Sequence, residues 1–202
     1  MTRAEAIAKL AGLVGQDLRP LADTYRVTVW KNGKKNKGWA GDVVERFLGL
    51  PANPVQGPDF GDWELKVVPL RKVGGRWQPK ETMAVTMIAA DNVVATPFEH
   101  SHLLDKLRSL VICGREFLDE RDDHAEFVKA AAFDLGDGAL YRQVQEDYET
   151  LRAQIRHGGL GSVTGRIGLL VQARTKGPGH GSTTRAFYAR TSLVARLLRL
   201  KS

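Results

Sequence analysis

The residues with the clearest chemical potential sit together in Pro58-Asp59-Phe60-Gly61-Asp62-Trp63-Glu64-Leu65-Lys66. In an extended strand, side chains two apart point to the same side. Glu64 and Lys66 therefore share one face, and Trp63, Leu65 and Val67 share the other. The apolar face packs on a core, which sets the Glu64/Lys66 face over something polar. Asp59 lies on the loop before the strand and can fold back toward Glu64. Two converging carboxylates make a hard oxygen site suited to Mg²⁺. A lysine beside them orients or activates a water. A metal that stabilises a charged phosphate, with a positioned nucleophile, is what phosphodiester hydrolysis requires. The competing reading is a plain strand edge whose Glu and Lys pair with each other, since surface ion pairs are common and weak. The preceding Pro-Asp favours the chemical reading.

Other candidates are weaker. His100 and His102 are two apart, and on a helix that spacing does not bring both imidazoles to one metal, so a structural or capping role is expected. His180, in Gly177-Pro178-Gly179-His180-Gly181, sits on a loop where it is either solvated or in contact with phosphate. Ser182 and Cys113 lack the arrangement of an activated nucleophile. The loop from Thr175 to Thr184 lacks the Gly-Lys-Ser/Thr ending of a phosphate-binding loop. Trp39 and Trp63 are expected in the core.

These residues need a scaffold of strands and helices, and the sequence pattern supplies one. Residues 4–14 have helical spacing, and 25–30 alternate like a strand. Asn32-Gly33 is a turn signal. Gly41-Asp42 opens a short helix with Asp42 as its cap, and Gly49 stops it. Strands are expected at 63–70, 82–90, 109–113, 166–174 and 185–190, and helices at 98–108, 139–155 and 191–200. Leu140, Val144, Tyr148, Leu151 and Ile155 make the 139–155 helix strongly amphipathic. Residues 120–138 read as a polar insertion or loop, and 175–184 as a glycine-rich loop. Strands and helices interleave without a repeat, so the class is α/β or α+β. No strong internal boundary is visible, and one domain is expected over 1–202.

The composition fits a packed globular protein. The chain has 202 residues, 43% of them hydrophobic and 26% charged, enough to bury a core and too apolar for a disordered chain. No apolar run is long enough to span a membrane, and the N-terminus shows no secretory signal. The single cysteine forms no intrachain disulfide and no multi-cysteine zinc site, so a reducing cytoplasm is expected. The net charge is +7, but it is unevenly placed. Residues 151–202 hold ten Lys/Arg and no acid, while the remainder of the chain is −3. Such a segment attracts polyanions in a salt-dependent way. The smaller cluster Lys31, Lys34, Lys35 and Lys37 is expected to be solvated.

Pro58-Asp59 with Glu64-Leu65-Lys66 resembles the PD-(D/E)xK signature of restriction-type nucleases. The context is similar to the MutH-like family, strand-nicking endonucleases of methyl-directed mismatch repair with restriction-endonuclease relatives. Lys37-Gly38-Trp39-Ala40-Gly41, then Val44-Glu45 and Phe47-Leu48-Gly49, resembles the family's segment before its active site. Phe98 to Arg108, Tyr141 to Glu149, and Arg185-Ala186-Phe187-Tyr188 with Leu197-Leu198 resemble its later motifs, in order over about residues 20–200. The resemblance implies a restriction-endonuclease-like α/β fold: a central mixed sheet flanked by helices, with two lobes around a DNA cleft. The catalytic lobe would span about 20–115 and the basic DNA-binding lobe about 139–202.

The resemblance also implies roles. Asp59 and Glu64, with the backbone carbonyl of Leu65, would hold one or two Mg²⁺ ions, and Lys66 would be the catalytic lysine. Glu45 would support the metal or water network. Lys37 and Lys106 would be further active-site lysines near the scissile phosphate. Tyr188 would lie at the DNA interface, where the family senses base identity or methylation. Gln172, Arg174, Lys176, His180, Arg185 and Arg190 complete the expected DNA-contacting set. Where the family carries an Arg-Pro-Lys base-reading run, this sequence has Gln172-Ala173-Arg174. Glutamine can pair with adenine and arginine with guanine in the major groove.

The implied activity is Mg²⁺-dependent, sequence-specific hydrolysis of duplex DNA, leaving 5′-phosphate and 3′-hydroxyl ends. The implied setting is the cytoplasm, in association with the nucleoid, as a monomer with mismatch-repair partners of the MutL type. A standalone type II restriction endonuclease and a catalytically inactive DNA-binding module are the alternatives.

Overall fold

The computed structural model describes residues 1–49, 61–177 and 183–201. The N-terminal helix α1 (Arg3–Ala11) starts in a capping box formed by Thr2 and Glu5. Asp17 caps α2 (Leu18–Thr24) through the Arg19 amide. The hairpin β1 (Trp30–Lys31) and β2 (Lys34–Lys35) turns through Asn32 and Gly33, both at positive φ, as a two-residue type I′ turn requires. Helix α3 (Trp39–Leu48) ends at Gly49 in the left-handed conformation. Then follow β3 (Glu64–Val73), β4 (Arg76–Pro79), β5 (Met83–Met87), α4 (Ala90–Ala95), α5 (His102–Arg108), β6 (Ser109–Glu116) and β7 (Phe127–Asp134). The chain closes with α6 (Ala139–Gly158), β8 (Val171–Thr175), β9 (Arg185–Ala189) and α7 (Thr191–Leu197).

The chain forms two compact units. Unit 1 comprises 1–80, 110–133 and 197–202, and unit 2 comprises 81–109 and 134–196. Each unit is therefore assembled from pieces distant in sequence. That explains why no linker marks a boundary.

Unit 1 is built on a four-stranded mixed sheet in the order β4-β3-β6-β7. β3 runs parallel to β6, with Glu64 opposite Leu110 and Lys66 opposite Ile112, and antiparallel to β4 from Leu70 onward. Trp63, Leu65 and Val67 pack with Trp39, Val43 and Val44 of α3 and with α1 and α2 in one apolar cluster. Removing a side chain such as Leu65 from water is worth about 1.5–3 kcal/mol. Further along β3 the opposite face also turns apolar, with Val68 and Leu70 buried. Gly114 is needed there, since a Cβ on it would lie 2.4 Å from the Leu70 side chain.

Unit 2 packs α6 against a three-stranded antiparallel sheet, β5-β9-β8. Tyr148 of α6 stacks between Phe98 and Phe187, with ring centroids 5.6 and 5.5 Å away. Its hydroxyl donates to the Thr96 carbonyl at 2.9 Å, and burial pushes the phenol up to about 12.

The expected α/β class and mixed sheet are present, but several boundaries differ from the sequence reading. The alternation at 25–30 is real, with Val27 and Val29 buried, yet only Trp30–Lys31 forms a strand. One-sided burial of an extended segment gives the same pattern as a half-buried strand. The expected loop at 120–138 contains β7, which completes the unit 1 sheet beside β6. Helix α3 begins at Trp39 rather than at Gly41-Asp42. Asp42 accepts a hydrogen bond from Asn36 Nδ2 instead of capping the helix. The expected strand at 166–174 starts only at Val171, because 165–170 form a bend.

Candidate functional site

Unit 1 positions the chemical pair. Period-2 alternation along β3 places Glu64 and Lys66 on one face, away from the Trp63/Leu65 core. Glu64 is 1% exposed, and its Oε1 is ion-paired with Lys66 Nζ. A buried carboxylate of this kind is costly unless a cation or hydrogen bonds compensate it. Lys66 keeps a quarter of its side chain accessible, so the pair has an open side. The Leu65 carbonyl belongs to the same stretch, which has β6 along one edge and lies before the point where β4 joins. Glu45 is half-buried on α3, the helix packed on β3. Lys37 is exposed in the segment leading into α3. Lys106 is half-buried on α5 of unit 2, a helix capped by the Ser101 hydroxyl at the Leu104 amide. Asp59 lies outside the described residues, as does His180.

The lysine cluster is only partly solvated. Lys31, Lys34 and Lys37 are exposed, but Lys35 reaches Asp122 Oδ2 at 2.7 Å. Asp122 also accepts both guanidinium ends of Arg115 at 2.8 Å and Trp39 Nε1 at 3.0 Å. Burial alone would raise the Asp122 carboxyl, but its bonds to Arg115, Lys35 and Trp39 outweigh that and hold it below the usual range. Trp30 Nε1 donates to the Arg121 carbonyl at 2.9 Å, so the 119–122 loop is fastened to the hairpin and to the start of α3.

Unit 2 positions the expected DNA-contacting residues, and it separates them into groups. The β8–β9 register sets Gln172 opposite Tyr188 and Arg174 opposite Ala186. Paired residues in an antiparallel ladder share a face, so Gln172, Arg174 and Tyr188 lie together. The Arg174 guanidinium is 5.8 Å from the Tyr188 ring and donates to Thr82 Oγ1 at 2.9 Å. Gln172 is buried, Tyr188 is half-buried and Arg174 is exposed. Arg185 alternates to the other side with Phe187. Together with Thr164, Gly165, Arg174 and Thr175 it lines a shallow groove. Lys176 is exposed just past β8. Arg190 is occupied structurally, donating to the carbonyls of Gly168 at 2.9 Å and Gly165 at 2.8 Å.

Three features escaped the sequence reading. Asp122 and Arg115 gave no sequence signal, because their partnership spans a loop and two other segments. Asp147 did give one: it stands at helical spacing between Val144 and Leu151 on the apolar stripe of α6. Among the described residues, Glu116, His124 and Glu126 also bring potential metal-ligand atoms within 4.8 Å of one another. His124 Nδ1 is held 2.8 Å from Asp17 Oδ2. No described helix is long and apolar enough to cross a membrane, and burial of Cys113 pushes its thiol up, consistent with an inert core residue.

Comparison with known proteins gives this arrangement a family. The sequence model of the family described as "DNA mismatch repair enzyme MutH" matches residues 48–153, just over half of the chain. A DNA mismatch repair protein MutH from Haemophilus influenzae is 28% identical, with 98% of this chain and 94% of the relative covered. One from Shewanella woodyi is 28% identical over 90% of this chain and 78% of its own length. Among solved structures, the complex of restriction endonuclease MvaI with cognate DNA substrate covers 100% of this chain and 98% of its own, at 11% identity and a TM-score of 0.40. With its Glu-x-Lys strand in place beside the helix carrying Glu45, this chain belongs to the MutH family of DNA mismatch repair enzymes.

Proposed function

We propose that this chain is a Mg²⁺-dependent DNA endonuclease that nicks duplex DNA in mismatch repair. The observation that carries the reading is the buried Glu64 paired with Lys66 at the start of β3, in a chain of the MutH family. A carboxylate withdrawn from solvent, with a partly open lysine at its oxygen, suits a hard divalent cation on its open side. Glu64, Asp59 and the Leu65 carbonyl would hold the ion. The ion supplies charge stabilisation at the phosphate and a more acidic water. Lys66, fixed at Glu64, holds the attacking water and its proton in reach of the phosphorus. Glu45 supports this network, and Lys37 and Lys106 offset phosphate charge. Unit 2 holds the duplex through Gln172, Arg174 and Tyr188, with Lys176, His180 and Arg185 on the backbone. The acid-free, basic segment 151–202, most of which lies in unit 2, makes that grip salt-dependent. A MutL-type partner and a cytoplasmic, nucleoid-associated setting accompany this role.

The test is cleavage of supercoiled plasmid, methylated and unmethylated, with Mg²⁺, followed by end-sequencing. Nicked circles with 5′-phosphate ends are expected. Efficient linearisation would instead point to a restriction enzyme. Lys66→Ala should abolish cleavage and leave DNA binding largely intact; cleavage that survives this change would overturn the site assignment.

A further inference from the structure

Asp147 is a carboxylate on the core-facing stripe of α6, and only 3% of the residue is exposed. Among the described residues, no arginine or lysine is paired with it. It accepts from three consecutive backbone amides: Leu169 at 2.8 Å, Leu170 at 2.6 Å and Val171 at 2.8 Å. Gln143 Nε2 adds a fourth bond at 3.2 Å. The same bend is gripped from its carbonyl side by Arg190, at Gly165 and Gly168. Gly168 has φ +85°, and a Cβ there would lie 1.9 Å from the Val171 carbonyl oxygen, so the bend admits only glycine at this point.

The residues that follow are Gln172 and Arg174. β8 is an edge strand with β9 on one flank only, so the ladder alone leaves its start weakly fixed. A one-residue slip would turn Gln172 and Arg174 to the opposite face. The carboxylate fixes three amides in a row immediately before Gln172, which removes that freedom. Burying a carboxylate is costly, and apolar replacements of buried charges are often neutral or better. Leu170 is 5% exposed and Val171 is fully buried, so their amides depend on the carboxylate, which satisfies them and fixes their position at once.

We propose that Asp147 is a positioning residue for sequence discrimination: it ties α6 to the bend before β8 and thereby sets the face that carries the buried Gln172 and presents the exposed Arg174 to base edges of duplex DNA. This rests on the endonuclease reading above. Asp147→Asn keeps the size but replaces one acceptor oxygen by a donating carboxamide NH2 facing the same backbone N–H groups. Arg190→Lys keeps the charge but loses the fork on the carbonyls, and it keeps the test alive should Asp147→Asn fail to fold. Gln143→Ala, which leaves the three amide bonds in place, is the control.

Two readouts separate the proposals. In the first, cleavage is measured at the preferred site and at single-base variants of it. Asp147→Asn is expected to lower the discrimination ratio at least tenfold, through a raised KM at the preferred site, with kcat within threefold. Arg190→Lys should move in the same direction by less, and Gln143→Ala should match the wild type. In the second, bound duplexes are selected from a random library by Lys66→Ala protein with and without Asp147→Asn, which reads discrimination without cleavage. Enrichment of one sequence that is blurred by Asp147→Asn supports the proposal even if the wild type never cleaves, an outcome that would remove only the endonuclease reading. Unchanged discrimination in a folded Asp147→Asn or Arg190→Lys protein, or an equal loss at all sequences, would overturn it.

Discussion

Unit 1 and unit 2 each bury a carboxylate that fastens a loop to a helix, and they neutralise it by opposite means. Asp122 in unit 1 is met by side-chain cations, Arg115 and Lys35, with Trp39 as a neutral donor. Asp147 in unit 2 is met by backbone amides. The first solution consumes basic side chains, and Lys35 is thereby withdrawn from its cluster. The second consumes none, which suits a unit whose C-terminal part must keep its arginines for a polyanion. Backbone amides are also stiffer than lysine stems, so the second solution defines position more sharply. Glu64 is a third case: buried like the other two, but ion-paired with a lysine that keeps a quarter of its side chain accessible. Its cationic partner is thus partly open to solvent, whereas Arg115 at Asp122 is only 6% exposed.

The largest expected effect tests that last contrast. Glu64→Ala should reduce Mg²⁺-dependent nicking by on the order of 10³-fold or more, with little change in melting temperature, because the partly open Lys66 finds water. Asp122→Ala should do the reverse. It strands Arg115, which is only 6% exposed, and should cost about 3–5 kcal/mol in urea denaturation. Nicking at low temperature should survive in the fraction that folds. A catalytic collapse in Asp122→Ala without a stability loss would break the division between the two roles.

Acid provides a gentler probe of the cation-paired solution. The carboxyls of Asp122 and Asp17 are both held low in the folded state. Burial opposes this in each, but bonds from Arg115, Lys35 and Trp39 prevail for Asp122, and bonds from the Arg19 and Ala125 amides and from His124 prevail for Asp17. A depressed folded pKa means that the unfolded chain takes up protons first. The stability these groups contribute is therefore complete above about pH 4 and is lost as pH falls through the folded values. Urea midpoints measured from pH 6 to pH 2 should drop on the acid side, and Asp122→Asn should flatten that drop. An unchanged slope would mean that Asp122 is not the group being titrated.

How much of this was legible in the sequence follows from the same physics. Local rules held where the cause is local. Asn32-Gly33 gave the first hairpin turn, Gly49 ended α3, and the Leu140 to Ile155 stripe gave α6. The Glu64/Lys66 face followed from period-2 alternation alone. Non-local causes were silent. Residues 127–134 became a strand because β6 offered an edge, which no local pattern announces in a polar stretch. Residues 166–170 stayed out of β8 because Thr164 takes the amides of Arg166 and Ile167, and Asp147, more than twenty positions away, takes those of Leu169 and Leu170. The division into units was invisible because each is assembled from separated segments. Alternation among Tyr25 to Trp30 misled for a complementary reason, since burial on one side needs no partner strand.

The smallest expected effect sharpens the contrast most. Gln143 and Trp39 stand in equivalent positions, each a side-chain donor to a buried carboxylate. If backbone amides suffice for Asp147, removing Gln143 should cost less than about 0.5 kcal/mol, because the carboxylate keeps three good bonds and the long 3.2 Å contact adds little. The half-exposed position also leaves little packing to lose. Trp39→Phe removes the corresponding donor at Asp122 and leaves a void where the indole was fully buried, so it should cost about 1–3 kcal/mol. Urea denaturation of the two variants under identical conditions gives the comparison directly. Equal losses would show that Asp147 depends on its side-chain partner as Asp122 does, and that the bend before β8 is held less rigidly than its three amide bonds imply.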